Sequence, residues 1–258
     1  MDIGLRDRRV LITGGSKGIG RACAESFGAE GARLVLVARN QDALDRAAAE
    51  LREAYGCEVE VLAADLASPD ARAAAFESVP DVDILVNNAG AIPAGDLFAI
   101  SLERWTEAWQ LKVFGFIHLT QLYLAGMRER GAGTIVNVIG SASRTPRWSY
   151  VCGATGNAAL VAFTEAVGAQ SVEWNVRVFG INPSATRTDR IVSISRTRAQ
   201  AKFGDESRWQ EVLGSLPFGR LAEAAEIADL CAMLCSPRVA YVSGTVVDVD
   251  GGARNREA

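Results

Sequence analysis

The apolar positions of this chain fall into short continuous runs, separated by longer stretches with helical spacing. The runs 9–13 and 34–38 consist largely of Val, Leu, Ile and Ala, a composition typical of strands buried on both faces of a parallel sheet. Ile19, Cys23 and Phe27 recur every four residues, which predicts a helix after the first run. The chain therefore begins with a strand followed by a helix.

The same two patterns alternate to the end of the chain. Strands are predicted at 9–13, 34–38, 59–63, 82–86, 134–138, 176–181 and 245–249, and further helices at 41–55, 69–77, 102–130, 151–171 and 222–235. A charged segment with helical character, 189–215, precedes the last of these helices. This alternation predicts an α/β Rossmann fold: one domain over residues 1–258, with a doubly wound parallel sheet of about seven strands and helices on both faces.

Composition and charge exclude several classes of function. The formal net charge is −4 and no block of like charges occurs, so we expect no nucleic-acid partner. No apolar run approaches the roughly 18 residues of a membrane span, and the polar N-terminal segment has no leader pattern, so we expect a cytoplasmic protein without a membrane partner. The five scattered cysteines favour reduced thiols, and no Cys or His pair completes a metal site.

A glycine-rich turn follows the first strand and opens the first helix. Glycines let a backbone turn tightly and approach a pyrophosphate, while the helix N-terminus offers free N–H groups. We therefore expect this turn to bind the phosphates of a dinucleotide through Gly14, Ser16, Lys17, Gly18, Ile19 and Gly20. The alternative is a tight turn that binds nothing.

The end of the second strand indicates which dinucleotide is bound. A protein that selects NAD usually carries an acidic residue there for the ribose 2′-hydroxyl, whereas this strand ends in Ala38, Arg39 and Asn40. The planar guanidinium of Arg39 can pair with a 2′-phosphate, and Lys17 adds a second cation. NADP(H) is therefore the expected cofactor, with NAD(H) possible, unless both cations are only solvated surface residues.

Further motifs complete a pattern that resembles the short-chain dehydrogenase/reductase family over nearly the whole chain. These motifs are Thr13 to Gly20, Asp65, the segment Asn87-Asn88-Ala89-Gly90, Pro183 with Thr188, and Asp250-Gly251-Gly252. The resemblance implies hydride transfer between a nicotinamide and a carbonyl or alcohol group of a small-molecule substrate. It also implies a homotetramer or homodimer, formed partly through the helices at 102–130 and 151–171.

The resemblance further implies where the cofactor lies. Asp65 and Leu66 are expected at the adenine, and Asn88, Ala89 and Gly90 along the cleft. The segment 183–188, with Pro183, Thr186 and Thr188, is expected at the nicotinamide carboxamide.

The expected catalytic positions depart from the family pattern. Members use a Tyr as proton donor, a Lys four residues later, a Ser thirteen residues before the Tyr, and an Asn on the long helix. Aligned on 135–138, the Tyr, Lys and Ser positions carry Gly153, Asn157 and Gly140, respectively. The family's helix Asn lies three residues before a glycine, which places it on Lys112 ahead of Gly115. No Tyr of the chain has a Lys four residues after it. All four usual side chains are therefore replaced.

Other residues are candidates for the missing roles. If the helix starts early enough, Tyr150 lies about 5 Å, one turn, before Gly153 on the same stripe and is a displaced proton donor, with Ser141 as its hydroxyl partner. Lys112 supplies a cation, and Asn157 can hydrogen-bond ribose hydroxyls. The two glycines are expected to widen the space before the nicotinamide. The alternative is that Tyr150 is only an aromatic wall and the usual catalytic route is lost.

The remaining candidates concern the substrate and the single histidine. The family's substrate-covering insertion corresponds to residues 187–216. It contains Arg187, Arg190, Arg196 and Arg198, interleaved with Ile191, Val192 and Ile194. One arginine is a candidate partner for an anionic substrate group, although a solvated helix is an alternative; Trp148 and Trp209 are possible wall residues. His118 is interpreted as a helix residue with a local partner rather than a general base.

The leading hypothesis is an NADP(H)-dependent oxidoreductase with a non-standard proton donor. The alternatives are a catalytically silent dinucleotide-binding protein and a non-redox lyase or isomerase that uses the same pocket.

Overall fold

The computed structural model describes residues 2–255, apart from the side chains of Arg198 and Ala201. Its strands are β1 (Arg9–Thr13), β2 (Arg33–Ala38), β3 (Val59–Ala63), β4 (Ile84–Asn87), β5 (Gly133–Val138), β6 (Val176–Pro183), β7 (Thr186–Arg187), β8 (Ala222–Glu223) and β9 (Val246–Val249). Its α-helices are α1 (Gly18–Ala29), α2 (Gln41–Tyr55), α3 (Pro69–Ser78), α4 (Leu102–Arg130), α5 (Val151–Ser171), α6 (Asp189–Phe203) and α7 (Ala224–Cys235).

Seven strands form one parallel sheet in the order β3-β2-β1-β4-β5-β6-β9. The predicted Rossmann fold is therefore confirmed. The chain first moves outward from β1 to β3 and then returns to β4 on the other side of β1. The helices that follow β1 and β4, α1 and α4, consequently pack on opposite faces of the sheet. Open α/β sheets bind ligands in the crevice at the carboxyl edge beside such a reversal of strand order.

The core lies in two layers, one on each face of the sheet. Along β1, Val10 and Ile12 pack into one layer and Leu11 into the other. Helices α1, α2 and α7 cover the first layer, and α3 and α4 cover the second. A strand that is buried on both faces has no polar side, which explains the unbroken apolar runs of the sequence.

Most predicted elements are within two residues of the observed ones, and the differences have local causes. β6 extends to Pro183 because it continues to pair with β9, with Pro183 opposite Val249. The helix predicted from residue 222 begins at Ala224, because Ala222 and Glu223 pair with Thr186 and Arg187 in a separate two-stranded sheet. None of the described helices combines the length and apolar character needed to cross a lipid bilayer.

Candidate active site

The glycine-rich turn between β1 and α1 is tightly folded. Gly14 and Gly18 have φ angles of 69° and 58°, in the left-handed region that favours glycine. A Cβ atom on Gly20 would lie 2.3 Å from the Gly14 carbonyl oxygen, so only glycine allows this approach. The first N–H groups of α1 have no partner within the helix, as at every helix N-terminus. The Lys17 side chain, which precedes the helix, does not cap them either. The turn therefore has the open backbone and free N–H groups that phosphate oxygens require.

The loop after β4 is tied to this turn by hydrogen bonds. The Thr13 hydroxyl accepts hydrogen bonds from the N–H groups of Asn88, at 2.8 Å, and Ala89, at 3.0 Å. The Asn88 side-chain amide donates to the Thr13 carbonyl at 2.9 Å. From the other side of the crevice, the Thr188 methyl group lies 3.4 Å from the position of a Cβ atom on Gly18. Three of the expected cofactor segments thus meet at one place.

At the far end of the crevice, Arg39 and Asn40 follow β2 and are exposed. The Asn40 side-chain oxygen accepts a 2.7 Å hydrogen bond from the Ala43 N–H and caps α2. Arg39 has no carboxylate within 4.0 Å among the described residues. Asp65 is exposed after β3, whereas the Leu66 side chain is buried in the core. Of the two expected adenine residues, only Asp65 presents its side chain to the surface.

Tyr150 is not part of the helix, contrary to the helical stripe considered from the sequence. It precedes α5 with φ −147° and ψ 34°, and the helix begins at Val151. Its ring nevertheless folds over Gly153: a Cβ atom on Gly153 would lie 2.1 Å from two ring carbons and 2.6 Å from the phenol oxygen. The phenol thus fills the space that a side chain at position 153 would enter.

The expected widening of the cleft at Gly140 and Gly153 is wrong for the same reason. Tyr150 occupies the space at Gly153, and the Asn157 amide nitrogen lies 2.8 Å from the position of a Cβ atom on Gly140. The bulk missing from the two glycines is replaced by neighbouring side chains. Both glycines are needed for this arrangement, because a larger residue would displace its neighbour.

The Tyr150 ring packs against a buried apolar cluster of Ile92, Ile100, Ala108 and Cys152, as do two tryptophans of α4. Burial raises the pKa of its phenol, and the nearby Arg190 guanidinium opposes that rise. The phenol therefore carries its proton at neutral pH, as a proton donor must.

Lys112 is a buried cation on α4, with a relative exposure of 7%. Its Nζ donates a 2.6 Å hydrogen bond to the Val138 carbonyl at the end of β5 and lies 4.4 Å from the centre of the Phe116 ring. Its aliphatic chain passes over Gly90, where a Cβ atom would lie 2.6 Å from the lysine Cδ. Burial, and next the Arg190 charge, lower the pKa of Lys112 from 10.5 to about 7.

Asn157 approaches the same end of β5 from α5. It is buried, and its amide donates a 3.4 Å hydrogen bond to the Gly140 carbonyl. Ser141 opens a short 3₁₀ turn, Ser141–Ser143, directly after Gly140. Within the described part of the chain, the Ser141 hydroxyl has no hydrogen bond to Tyr150. The structure therefore brings Lys112 and Asn157 together at β5 and does not pair Ser141 with Tyr150.

Arg190 is a site residue that the sequence did not single out. From the first turn of α6, its Nη1 donates a 3.2 Å hydrogen bond to the Gly90 carbonyl, and its Nη2 donates to the Ile92 carbonyl. Arg187 instead pairs with Glu223 at 2.8 Å, and Arg196 is exposed. The Arg198 side chain lies outside the described residues. Arg190 differs from the other arginines of the insertion in its position in the fold, and no pattern in the sequence predicts that position.

The remaining candidates lie outside this group. Ile191, Val192 and Ile194 are half-buried along α6. Trp148 is exposed and meets the edge of the Phe98 ring at a centroid distance of 5.9 Å, while Trp209 is half-buried in the insertion. His118 has the local partner expected of it, since its Nδ1 accepts a 3.1 Å hydrogen bond from Arg72.

Comparisons with known proteins agree with this architecture. Residues 14–254 match the family model described as enoyl-(acyl carrier protein) reductase. The chain is 32% identical over 253 residues to L-xylulose reductase of Bos taurus, covering 98% of each chain. It is 29% identical over 256 residues to 3-oxoacyl-[acyl-carrier-protein] reductase of Aquifex aeolicus, covering 98% of this chain and 99% of the other. The crystal structure of L-sorbose reductase from Gluconobacter frateurii, complexed with NADPH and L-sorbose, superimposes with a TM-score of 0.93 at 35% identity and covers 100% of both chains.

Proposed function

Since this chain belongs to the short-chain dehydrogenase/reductase family, we propose that it is an NADP(H)-dependent oxidoreductase acting on a carbonyl or alcohol group of a small molecule. The named relatives are reductases, and the L-sorbose reductase structure contains NADPH. The glycine turn, with its free N–H groups, fits the phosphates of such a cofactor. The segments 88–90 and 183–188 line the same crevice and are the proposed contacts of the nicotinamide half.

The preference for NADP(H) is supported by charge at the end of β2. Arg39 is exposed there without a carboxylate partner among the described residues, and Lys17 is exposed at the glycine turn. Asn40 is neutral and its side-chain oxygen already caps α2. The residues that end β2, Ala38, Arg39 and Asn40, thus include no acid for a ribose 2′-hydroxyl, and the Arg39 guanidinium is available for a 2′-phosphate.

The observation that carries the catalytic proposal is the Tyr150 ring over Gly153. When bound, the nicotinamide supplies the hydride for a reduction. Tyr150 then donates its phenolic proton to the substrate oxygen on which negative charge develops. Arg190 stabilises the phenolate that remains, since its charge opposes the rise that burial causes in the pKa of this phenol.

Lys112 and Asn157 hold the adjoining backbone in place. Lys112 binds the carbonyl of Val138 from α4, and Asn157 binds the carbonyl of Gly140 from α5. The Lys112 ammonium is poised to exchange a proton near neutral pH, because its pKa is about 7. We assign it the cationic role at this site.

The test is NADPH oxidation by a panel of ketones, ketoses, quinones and enones. Tyr150→Phe should lower kcat by about 10²–10⁴-fold and leave NADPH affinity unchanged, because only the proton is lost. Tyr241→Phe, at a fully exposed position, is the matched control and should behave as wild type. If Tyr150→Phe retained the wild-type kcat, Tyr150 would only line the site and would not be the proton donor. If no substrate oxidised bound NADPH, the oxidoreductase proposal would fail, and a silent dinucleotide-binding protein or a non-redox lyase or isomerase would take its place.

A further inference from the structure

Two cationic side chains converge on Gly90 from different elements. The Lys112 chain from α4 packs over its Cα atom, and Arg190 from α6 donates to its carbonyl oxygen at 3.2 Å. Arg190 also donates to the carbonyl of Ile92, a residue that packs with Tyr150 in one apolar cluster. Both cations therefore lie at the loop that contains Gly90 and that contributes Ile92 to the apolar cluster around Tyr150.

No carboxylate balances these two charges. Among the described residues, no Asp or Glu oxygen lies within 4.0 Å of Lys112 or Arg190. The charged group that perturbs the pKa of Lys112 is another cation, Arg190, and the same guanidinium acts on Tyr150. Two other exposed arginines of the insertion do pair with acids: Arg187 with Glu223 and Arg208 with Glu211. Within the described part of the chain, Lys112 and Arg190 therefore have backbone carbonyls, and no carboxylate, as their hydrogen-bond partners.

The present partners of Arg190 are neutral acceptors. A guanidinium presents two parallel N–H groups that match the two oxygens of a carboxylate, and such charge-assisted pairs are stronger than bonds to peptide carbonyls. A carboxylate at this point would also offset the cost of holding Lys112 as a buried cation. Arg190 and Gly90 are both exposed, so the guanidinium can release the Gly90 carbonyl to solvent while it keeps its bond to the carbonyl of the buried Ile92.

We propose that Arg190, with Lys112 behind it, is an anion subsite, and that the substrates are oxo acids or the corresponding hydroxy acids. This inference rests on the proposed function and specifies its substrate class. The carboxylate pairs with Arg190, which brings the neighbouring carbonyl to the Tyr150 phenol. In the reduction, the carbonyl carbon gains the hydride of NADPH and the carbonyl oxygen gains the Tyr150 proton, giving a hydroxy acid and NADP⁺.

The experiment compares 2-oxo acids with the matching 2-oxo amides, which have the same carbonyl without the charge. The wild type should reduce the acids with the higher kcat/KM. Arg190→Met should lower kcat/KM for both substrates, because Arg190 also stabilises the Tyr150 phenolate, but the loss should be about tenfold to hundredfold greater for the acids than for the amides, the usual effect of a hydrogen-bonded charge pair. Arg190→Lys should recover part of the loss, because it restores charge without the fork. Arg104→Met, at an exposed arginine of α4 paired with Glu107, is the control and should match the wild type.

A binding measurement separates this inference from the proposed function. Oxamate, an unreactive carboxylate, should bind to the NADPH-loaded wild type in calorimetry and not to loaded Arg190→Met. The anion subsite would be wrong, while the reductase proposal stood, if the wild type reduced the amides with the same kcat/KM as the acids. The same conclusion would follow if Arg190→Met lowered kcat/KM equally for both substrates. If no carbonyl compound were reduced, the reductase proposal would fail, and oxamate binding would still decide the subsite. Weaker NADPH binding by Arg190→Met, without any change in selectivity, would assign Arg190 to the cofactor and overturn the inference.

Discussion

Replacing Lys112 by methionine should stabilise the protein at neutral pH, by an amount that shrinks as the pH rises. The lysine ammonium is buried and no acid pairs with it among the described residues, so its charged form is disfavoured in the folded state. Methionine has a similar length and can follow the same path over Gly90 without a charge. The substitution removes the charge and largely preserves the packing.

The magnitude follows from the lowered pKa. A fall of the Lys112 pKa from 10.5 to about 7 destabilises the folded state by about 5 kcal/mol at a pH where Lys112 is protonated in both the folded and the unfolded state. Between pH values equal to these two pKa values, Lys112 is protonated in the unfolded state and largely deprotonated in the folded state. The free energy of unfolding of the wild type therefore rises with pH across this range and is lowest at pH values below it. At about pH 9 the cost falls to about 2 kcal/mol. Loss of the hydrogen bond to Val138 reduces the gain in the variant by about 1 kcal/mol.

The assay is urea unfolding of wild type and Lys112→Met at several values from about pH 7 to about pH 9. The stability advantage of the variant should shrink by about 2 kcal/mol over this range, because only the wild type gains stability through Lys112. Lys202→Met, at an exposed lysine of α6, is the matched control and should run parallel to the wild type. A difference between wild type and Lys112→Met that stays constant with pH would refute the depressed pKa and the electrostatic reading of this site.

Two further predictions concern the cofactor and the proton donor. Arg39→Ala should weaken NADPH binding by about tenfold to hundredfold and barely change NADH binding, as measured by calorimetric titration; equal losses for both would contradict the 2′-phosphate assignment. Gly153→Ala should displace the Tyr150 ring, because the new Cβ atom would lie 2.1 Å from two of its carbons. The kcat of Gly153→Ala should fall as it does in Tyr150→Phe. The double variant, Tyr150→Phe with Gly153→Ala, should lose no more kcat than either single variant. Independent, additive losses would show that the ring over Gly153 is not the active arrangement.

The sequence was sufficient for the fold because the signals that define it are local. Continuous apolar runs marked the buried strands, and Gly56 marked the end of α2, where it adopts the left-handed conformation. Right-handed crossovers then leave few topologies for an alternating chain, and the crevice follows from the order of the strands. The glycine turn was recognisable because its strand and helix flank it directly.

The positions of the reacting groups were less accessible from the sequence. The sequence pattern places Tyr150 on a helical stripe, but the residue precedes the helix, and its ring packs on the apolar cluster of Ile92 and Ile100, which are distant in sequence. The glycines at 140 and 153 suggested open space because local reasoning cannot show which neighbour fills a gap. Arg190 was one of four arginines with the same local context, and only the tertiary approach to Gly90 separates it from the rest.

The most direct test of the central claim is a crystal structure of the protein with NADP⁺ and the alcohol product of its best substrate. The account predicts that the Tyr150 ring still covers Gly153 and that its phenol oxygen lies about 3 Å from the product hydroxyl. A complex in which the Tyr150 phenol points away from that hydroxyl, with another side chain or a water molecule in its place, would contradict the claim.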